Sequence, residues 1–399
     1  MSGTVASAGS LREAVLREAA VEAGMVPAEA THIDVSPELA AVGRLLFQSK
    51  KMSLDRETAC ATCHIDRFGS GDGIPNAIGT KGRGEGVERL LGGGDIIPRN
   101  ALPFWGRGGK GFDVFFWDGK VDASTGILKS QFAGKEPSGD ALAVAVHLPP
   151  VEVGEMVTNS LENDRLEAET VEAATKVYEE LLLRIQADSE IAPKLAAAKG
   201  ISIADLDFVD IADAIAGFIR DNFAIQSTRF HEFVFSDGNL EPAEITGGLI
   251  FYGKGRCATC HNGAYFSDLQ FHSVPFPQTG FGKNGFGVDY GRFNVTMDDR
   301  DRHRFRTPPL YNVVKTAPYS HSGSIVELGN AIRAHTDPLS IYDPTLLSAV
   351  QRVEFYERLK AWSDEPVYGV YLDDGEISSL ISFLGTLSYE SKVRVEVTD

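Results

Sequence analysis

Hydrophobic positions along the chain recur mostly at helical spacing. Val171, Ala174, Tyr178, Leu181, Leu182 and Ile185 follow a 3.6-residue period, as do Phe208, Ile211, Ala212, Ile215, Phe218 and Ile219. Pro242 suits the first turn of a helix running through Tyr252, because its missing N–H would be unpaired there anyway. Asp374 is expected to cap a last helix that buries Ile377, Leu380, Ile381 and Leu384. Leu11–Ala23 and the charged, Ala- and Glu-rich stretch Asn163–Asp207 read as solvated helix. Strand-like alternation is absent, so the fold class is mainly α. Two long glycine-rich loops interrupt the helices, Phe68–Gly94 and Gly280–Gly291. Loops of that length in a folded domain call for something to order them.

Composition narrows the class of partner. Among 399 residues, 38 Lys and Arg face 56 Asp and Glu, a net charge of -18. Nucleic acid and anionic membrane surfaces need the opposite balance, so neither is expected; a cationic partner is. The longest apolar runs, near Gly247–Tyr252 and Ile377–Leu387, are too short for a membrane span.

All four cysteines fall in two copies of one pattern, Cys60-Ala61-Thr62-Cys63-His64 and Cys257-Ala258-Thr259-Cys260-His261. C-x-x-C-H is the attachment site of c-type haem: two thiols add across the vinyl groups on one porphyrin edge, and the next histidine lies under the iron. A zinc ribbon would set its Cys pairs about 15–20 residues apart, far closer than these. A two-residue disulfide loop suits redox chemistry or ligation better than stapling a fold. Two covalently bound haem c groups are therefore expected. Their attachment follows export, which places the protein in the periplasm. Met1–Ser10 has neither the basic segment nor the apolar stretch of a secretory leader, so the start is read as one that replaced a natural leader. Leu45-Leu46-Phe47 precedes Cys60, and Leu249-Ile250-Phe251 precedes Cys257, each like a short helix delivering a haem loop. This pairing suggests an internal duplication of a cytochrome c-like unit.

Further residues, in order, carry a resemblance. They are Arg99-Asn100-Ala101, Phe116-Trp117-Asp118-Gly119, Glu155-Met156, Arg306-Thr307-Pro308-Pro309-Leu310-Tyr311-Asn312-Val313, Ala317-Pro318-Tyr319-Ser320-His321-Ser322-Gly323-Ser324 and Ile381-Ser382-Phe383-Leu384. With the two haem motifs, this set resembles the bacterial diheme cytochrome c peroxidases and their relative MauG, over about His32 to Leu387. The resemblance implies two cytochrome c-like haem domains with long ordered loops. Residues 31–228 would form an N-terminal peroxidatic haem domain and 229–399 a C-terminal electron-transfer haem domain, with 1–30 an N-terminal extension. It assigns His64 to the first iron and His261 to the second.

The sixth ligands set the subtype. In ordinary family peroxidases a histidine sixteen residues after the first motif's histidine caps the resting peroxidatic iron. That count lands on Thr80, so this haem reads as permanently open, as in MauG; His147, the nearest other candidate, reads as structural. The second haem's distal ligand ends a Gly-Ser-x-x-x-Leu-x-x-Ala-Val-x-x-ligand pattern, with Met in the peroxidases and Tyr in MauG. Here the string Gly323-Ser324-Ile325-Val326-Glu327-Leu328-Gly329-Asn330-Ala331-Ile332-Arg333-Ala334-His335 puts His335 there and implies bis-histidine ligation. Tyr342 falls seven residues too late. His321 matches a family position read as a hydrogen-bond partner near the second haem. His231, His272 and His303 read as loop or solvated histidines.

By the same resemblance, Glu155 is the acid–base carboxylate over the open iron and Gln131 a glutamine that orients hydrogen peroxide. Trp117 is an oxidisable relay between the haems. Asn100, Thr307 and Pro309 match the ligands of a calcium ion, Ca²⁺ being tolerant of flexible oxygen coordination. The expected function is peroxide chemistry at the first haem with oxidising equivalents shared with the second. It serves either to reduce peroxide with a cationic redox protein as donor or to oxidise a protein substrate. The alternative is a diheme electron carrier or redox sensor without enzymatic activity.

Overall fold

A computed structural model of the chain describes residues 8–158 and 170–398. The 163–169 part of the charged helical stretch lies outside them. The architecture is mainly helical, and every described strand is two residues long. No helix among the described residues is long and apolar enough to cross a membrane.

The chain divides into two compact units. One contains His32–Ala224 with Thr279–Lys283 and Ser391–Asp399; the other contains Met1–Thr31, Ile225–Gln278 and Asn284–Glu390. The segment read as an N-terminal extension packs in the second unit: its helix Ala8–Glu22 lies on Pro242–Tyr252, with Arg12 donating to Thr246 at 2.7 Å.

Each unit is organised around one very close helix crossing. In the first unit, Ser36 caps the helix Pro37–Gln48 by accepting from Leu39 N, with Pro37 in the first turn. This helix crosses Phe208–Asn222, which Asp207 caps reciprocally with Asp210. A Cβ on Gly43 would stand 1.8 Å from the Ala214 carbonyl oxygen, so only glycine fits. One turn on, Phe47 meets Phe218 with ring centroids 5.1 Å apart. In the second unit, Pro242–Tyr252 crosses Asp374–Gly385. A Cβ on Gly247 would stand 1.9 Å from the Ser379 carbonyl oxygen, and Phe251 meets Phe383 at 5.2 Å. The pairs Gly43/Phe47 on Ala214/Phe218 and Gly247/Phe251 on Ser379/Phe383 share the same four-residue spacing. That is the geometric counterpart of the duplication suggested by the sequence.

The helical periods hold with small differences. Every expected apolar position of Phe208–Asn222 is buried, whereas Val171–Gln186 buries Ala173, Ala174, Val177, Leu181 and Ile185, leaving Tyr178 and Leu182 at its edge. The last helix is capped by Asp373 rather than Asp374. Asp373 has the extended backbone a cap requires; its carboxylate accepts from Glu376 N, and Glu376 reaches back to Asp373 N.

Gly43→Ala or Gly247→Ala should destabilise the haem-loaded protein by about 1–3 kcal/mol or more, since the carbonyl opposite cannot move without separating the helices. Gly385→Ala, with open space around its Cβ, should be neutral or slightly stabilising. Thermal denaturation of the three variants checks this; equal melting temperatures would mean the crossings are not tight.

Candidate haem sites

The first motif folds as a short helix, Cys60–Cys63, followed by a loop that returns to the histidine. His64 donates from Nδ1 to the Ser70 carbonyl at 2.9 Å, which leaves Nε2 for a metal, and its ring lies 4.0 Å from that of Phe104. The second motif repeats this: His261 Nδ1 donates to the Phe266 carbonyl at 3.0 Å. Burial pushes both imidazoles down to about 4, with the neighbouring His335 adding to the effect at His261, so both are neutral, as ligands must be. None of the four cysteines is in a disulfide. Burial pushes the Cys60 and Cys257 thiols up to about 12, the reverse of what a redox C-x-x-C requires. The two motifs belong to different units, which also removes the zinc-ribbon reading.

A cavity of about 180 Å³ lies in the first unit, lined by Cys60, Cys63 and His64 together with Asn100, Trp117, Glu152, Glu155 and Lys283. Thus the structure brings Glu155, Trp117 and Asn100 to the first haem motif. Gln131 is not brought there. Its neighbour Phe132 is buried edge-on against His147, and the turn that Ser130 closes on Phe132 N leaves Gln131 exposed. Nor does His147 line the cavity. It donates from Nδ1 to Ala143 O within its own helix and is enclosed by Phe132, Tyr178 and Phe208, the structural place expected of it.

A few charged groups stand in or just behind an otherwise mostly apolar cavity wall. Arg99 and Asp118 form a buried pair at 2.6 Å, and Lys120 lies 3.5 Å from Glu152. Lys120 holds Glu152 below the usual carboxylate range. Glu155 behaves differently: burial, reinforced by the Glu152 charge, pushes it up to about 7, against the pull of Lys120 and Lys283. Two carboxylates three residues apart are thereby driven in opposite directions, the pattern that separates an acid–base group from a fixed charge. Trp117 donates from Nε1 to the Asn100 carbonyl at 3.0 Å.

Thr80 is buried in the first unit and donates from Oγ1 to Asp95 at 2.8 Å, while its N–H donates to Gly154 O at 2.8 Å. The buried Arg89 side chain donates to the carbonyls of Ile78, Gly79 and Gly82. A Cβ on Gly79 would stand 1.8 Å from Gly154 O. This loop is therefore clamped onto the segment that carries Glu155.

In the second unit, His335 lies near the end of the helix Leu328–Thr336 and donates from Nδ1 to Ala331 O at 2.8 Å. The His261 and His335 rings are 6.4 Å apart. Two imidazoles on opposite sides of one metal, at N–metal distances of about 2.0 Å, put their centroids about 6 Å apart, so this pair fits a haem iron between them. Phe276 meets His335 edge-on at 5.5 Å. His321 is buried, stacked on Phe305 at 3.9 Å and bonded to Gln278 at 3.0 Å.

Of the three histidines read as loop or solvated, His303 does lie in a turn, whereas His231 falls in the helix Arg229–Phe235 and His272 in a two-residue strand, and none of the three is exposed. His231 is buried, bonded to Thr228 and stacked on Tyr311, and His303 is buried as well. His272 sits between Asp268 and Glu365, at 2.8 Å from each. These carboxylates raise it well above its ordinary range, against the opposing effect of burial. No motif announced this pair; its partners are 4 and 93 residues away. Asn100 belongs to one unit, Thr307 and Pro309 to the other. The Thr307 carbonyl already accepts from Ser267 and Arg306.

Comparison with known proteins places the chain in a family. The family model described as di-haem cytochrome c peroxidase matches residues 37–239, just over half of the chain. The chain belongs to the di-haem cytochrome c peroxidase and MauG family, whose named members are peroxide-using haem oxidoreductases. It is 27% identical over 297 residues to cytochrome c peroxidase Ccp of Escherichia coli (strain K12), covering 73% of this chain but only 52% of that protein. It is 24% identical over 361 residues to the methylamine utilization protein MauG of Methylorubrum extorquens, covering 89% of this chain and 80% of that one. In fold it resembles the crystal structure of a MauG-like protein associated with microbial copper homeostasis, with a TM-score of 0.63, 23% identity and 92% of each chain covered. The family implies haem c as the cofactor.

Two outcomes follow from this geometry. His335→Ala should abolish a low-spin ferric signal in electron paramagnetic resonance and leave the other haem's signal in place; an unchanged spectrum would remove His335 as a ligand. The second concerns Glu155. Its folded-state value of about 7 exceeds the ordinary 4.5. Between those pH values the folded chain holds a proton that the unfolded chain releases, so Glu155 costs stability as pH rises through this window. Glu155→Gln should therefore gain stability relative to wild type at pH 8 compared with pH 4, by denaturant titration; an identical difference at both pH values would refute the raised affinity for the proton.

Proposed function

We propose that this protein is a periplasmic diheme c-type enzyme that reacts with hydrogen peroxide at the His64 haem and draws on the His261/His335 haem for electrons. The observation that carries the reading is the joint lining of one cavity by the Cys60-Cys63-His64 motif and by a carboxylate, Glu155, with a proton affinity near neutrality. A haem c held there would supply an iron with an open face that binds peroxide and promotes cleavage of its O–O bond.

The chain's own residues manage protons and access. Glu155 as carboxylate takes the proton from the incoming peroxide and, now protonated, returns it to the departing oxygen. A group near pH 7 suits both halves of that exchange. Lys120, by pairing with Glu152, keeps the neighbouring carboxylate charged and out of the proton chemistry. Thr80 bonds Asp95 and offers no ligand, and the Arg89 clamp holds its loop in place. No capping residue then has to leave before peroxide enters, as in MauG. Trp117, its indole fixed by Asn100 O, is the side chain of this cavity that gives up an electron most readily, and we assign it the relay role. The balance is one peroxide, two electrons and two protons to two waters. The electrons come from a cationic redox protein or from a protein substrate oxidised in consequence.

The paired imidazoles His261 and His335 also suit a carrier, the second reading. The peroxide reaction of the oxidised protein separates the two. The enzyme should respond without prior reduction, with one haem high-spin at rest; two low-spin haems and no response would favour the carrier. Glu155→Gln should slow the response about a hundredfold or more. In the wild type the rate should fall as pH drops below about 7, because the base becomes protonated. Glu152→Gln should move that midpoint downward, since it removes a like charge and frees Lys120. Trp117→Phe should preserve the reaction at the first haem and suppress the spectral change at the second; joint response at the wild-type rate would make Trp117 a packing residue only.

A further inference from the structure

The second unit carries an aromatic pair that this function does not use. The helix Ala349–Trp362 ends on Trp362, whose indole is 8% exposed and donates from Nε1 to the His335 backbone carbonyl at 2.8 Å. Six residues later Tyr368 meets it edge-on, ring centroids 4.9 Å apart, and Tyr368 is 52% exposed. An oxidisable indole bonded to the backbone of His335, the proposed ligand of the second haem, is thus in contact with a phenol at the surface.

The segment between them is held firmly. Two turns join it, Glu365 N to Trp362 O and Tyr368 N to Glu365 O. Glu365 is buried, and its carboxylate accepts from Ser273 N at 2.9 Å and Arg304 at 2.7 Å and bonds His272 Nδ1 at 2.8 Å. Charge-assisted bonds of this kind fix the geometry of what they anchor. A fixed pair in contact favours electron transfer, whose rate falls steeply with distance and with the rearrangement required. Solvent at Tyr368 accepts the phenolic proton that oxidation releases.

We propose that Trp362 and Tyr368 form a one-electron port between the surface and the second haem. Tyr368 loses one electron through Trp362 toward His335 while its O–H proton passes to water. The resulting phenoxyl radical is restored by one electron from an external one-electron reductant and one proton from solvent. Two such cycles deliver the two electrons that convert one peroxide to two waters. The inference rests on the peroxide function above and names the surface residue at which a donor would act.

The test treats the haem-loaded protein with one equivalent of peroxide, without reductant, in the presence of a nitroso spin trap. Adducts are located by peptide mass spectrometry, with a no-peroxide control. The expected result is a peroxide-dependent adduct on Tyr368 that is lost in Trp362→Phe and retained in Tyr371→Phe, a second exposed tyrosine. In Tyr368→Phe, which leaves the buried indole in place, the adduct should move to Trp362. Labelling of Tyr368 that survives Trp362→Phe, or no label at Trp362 in Tyr368→Phe, overturns the port. A haem spectral response to peroxide without any Tyr368 adduct overturns the port alone; no haem response overturns the peroxide function and the port with it.

Discussion

The approach of two helices to within a glycine's width is the constraint on which each half of this protein depends. Gly43 under Ala214 O and Gly247 under Ser379 O let the backbones touch. The next turn of each helix then brings Phe47 onto Phe218 and Phe251 onto Phe383. The C-x-x-C-H loop follows the first helix of each pair. A larger side chain at either glycine would separate the helices and move the loop with them. Dense interiors transmit such shifts because their packing has little slack. The hydrogen bond from each motif histidine to a carbonyl five or six residues later then sets the ring and its tautomer.

On these two similar helix crossings the halves differ in their electrostatics. The first keeps Glu155 in a cavity with Glu152, Lys120 and Lys283, so that a carboxyl group titrates near neutrality. The second places His335 opposite His261 and surrounds the nearby loop with a paired His272, two carboxylates and Arg304. A proton-exchanging group suits a site that does bond chemistry; two neutral imidazoles suit a site that changes charge with little movement.

Clamping distinguishes the first site further. Arg89 spends its guanidinium on three loop carbonyls, and Thr80 spends its hydroxyl on Asp95. A guanidinium buried in this way helps order the glycine-rich loop, for which the sequence had suggested a bound haem as the ordering element. The loop thus finds its support within its own unit.

By itself the sequence determined what adjacent residues can encode. The C-x-x-C-H spacing specified two haem attachments, since thioether and iron chemistry need only five consecutive residues. The helix start at Pro242 and the apolar face of Phe208–Asn222 were equally local. Through the family resemblance, the count to Thr80 and the pattern ending at His335 pointed to the residues proposed to set ligation. Tertiary structure alone decided the rest. It turned Gln131 outward because Phe132 takes the buried place, and it set His272 between carboxylates 4 and 93 residues away. It raised the proton affinity of Glu155 through burial and through charges at 120, 152 and 283, and it bonded Trp362 to His335. Burial and Coulomb energies depend on separation in space, and a linear pattern carries no distances between residues that only folding brings together.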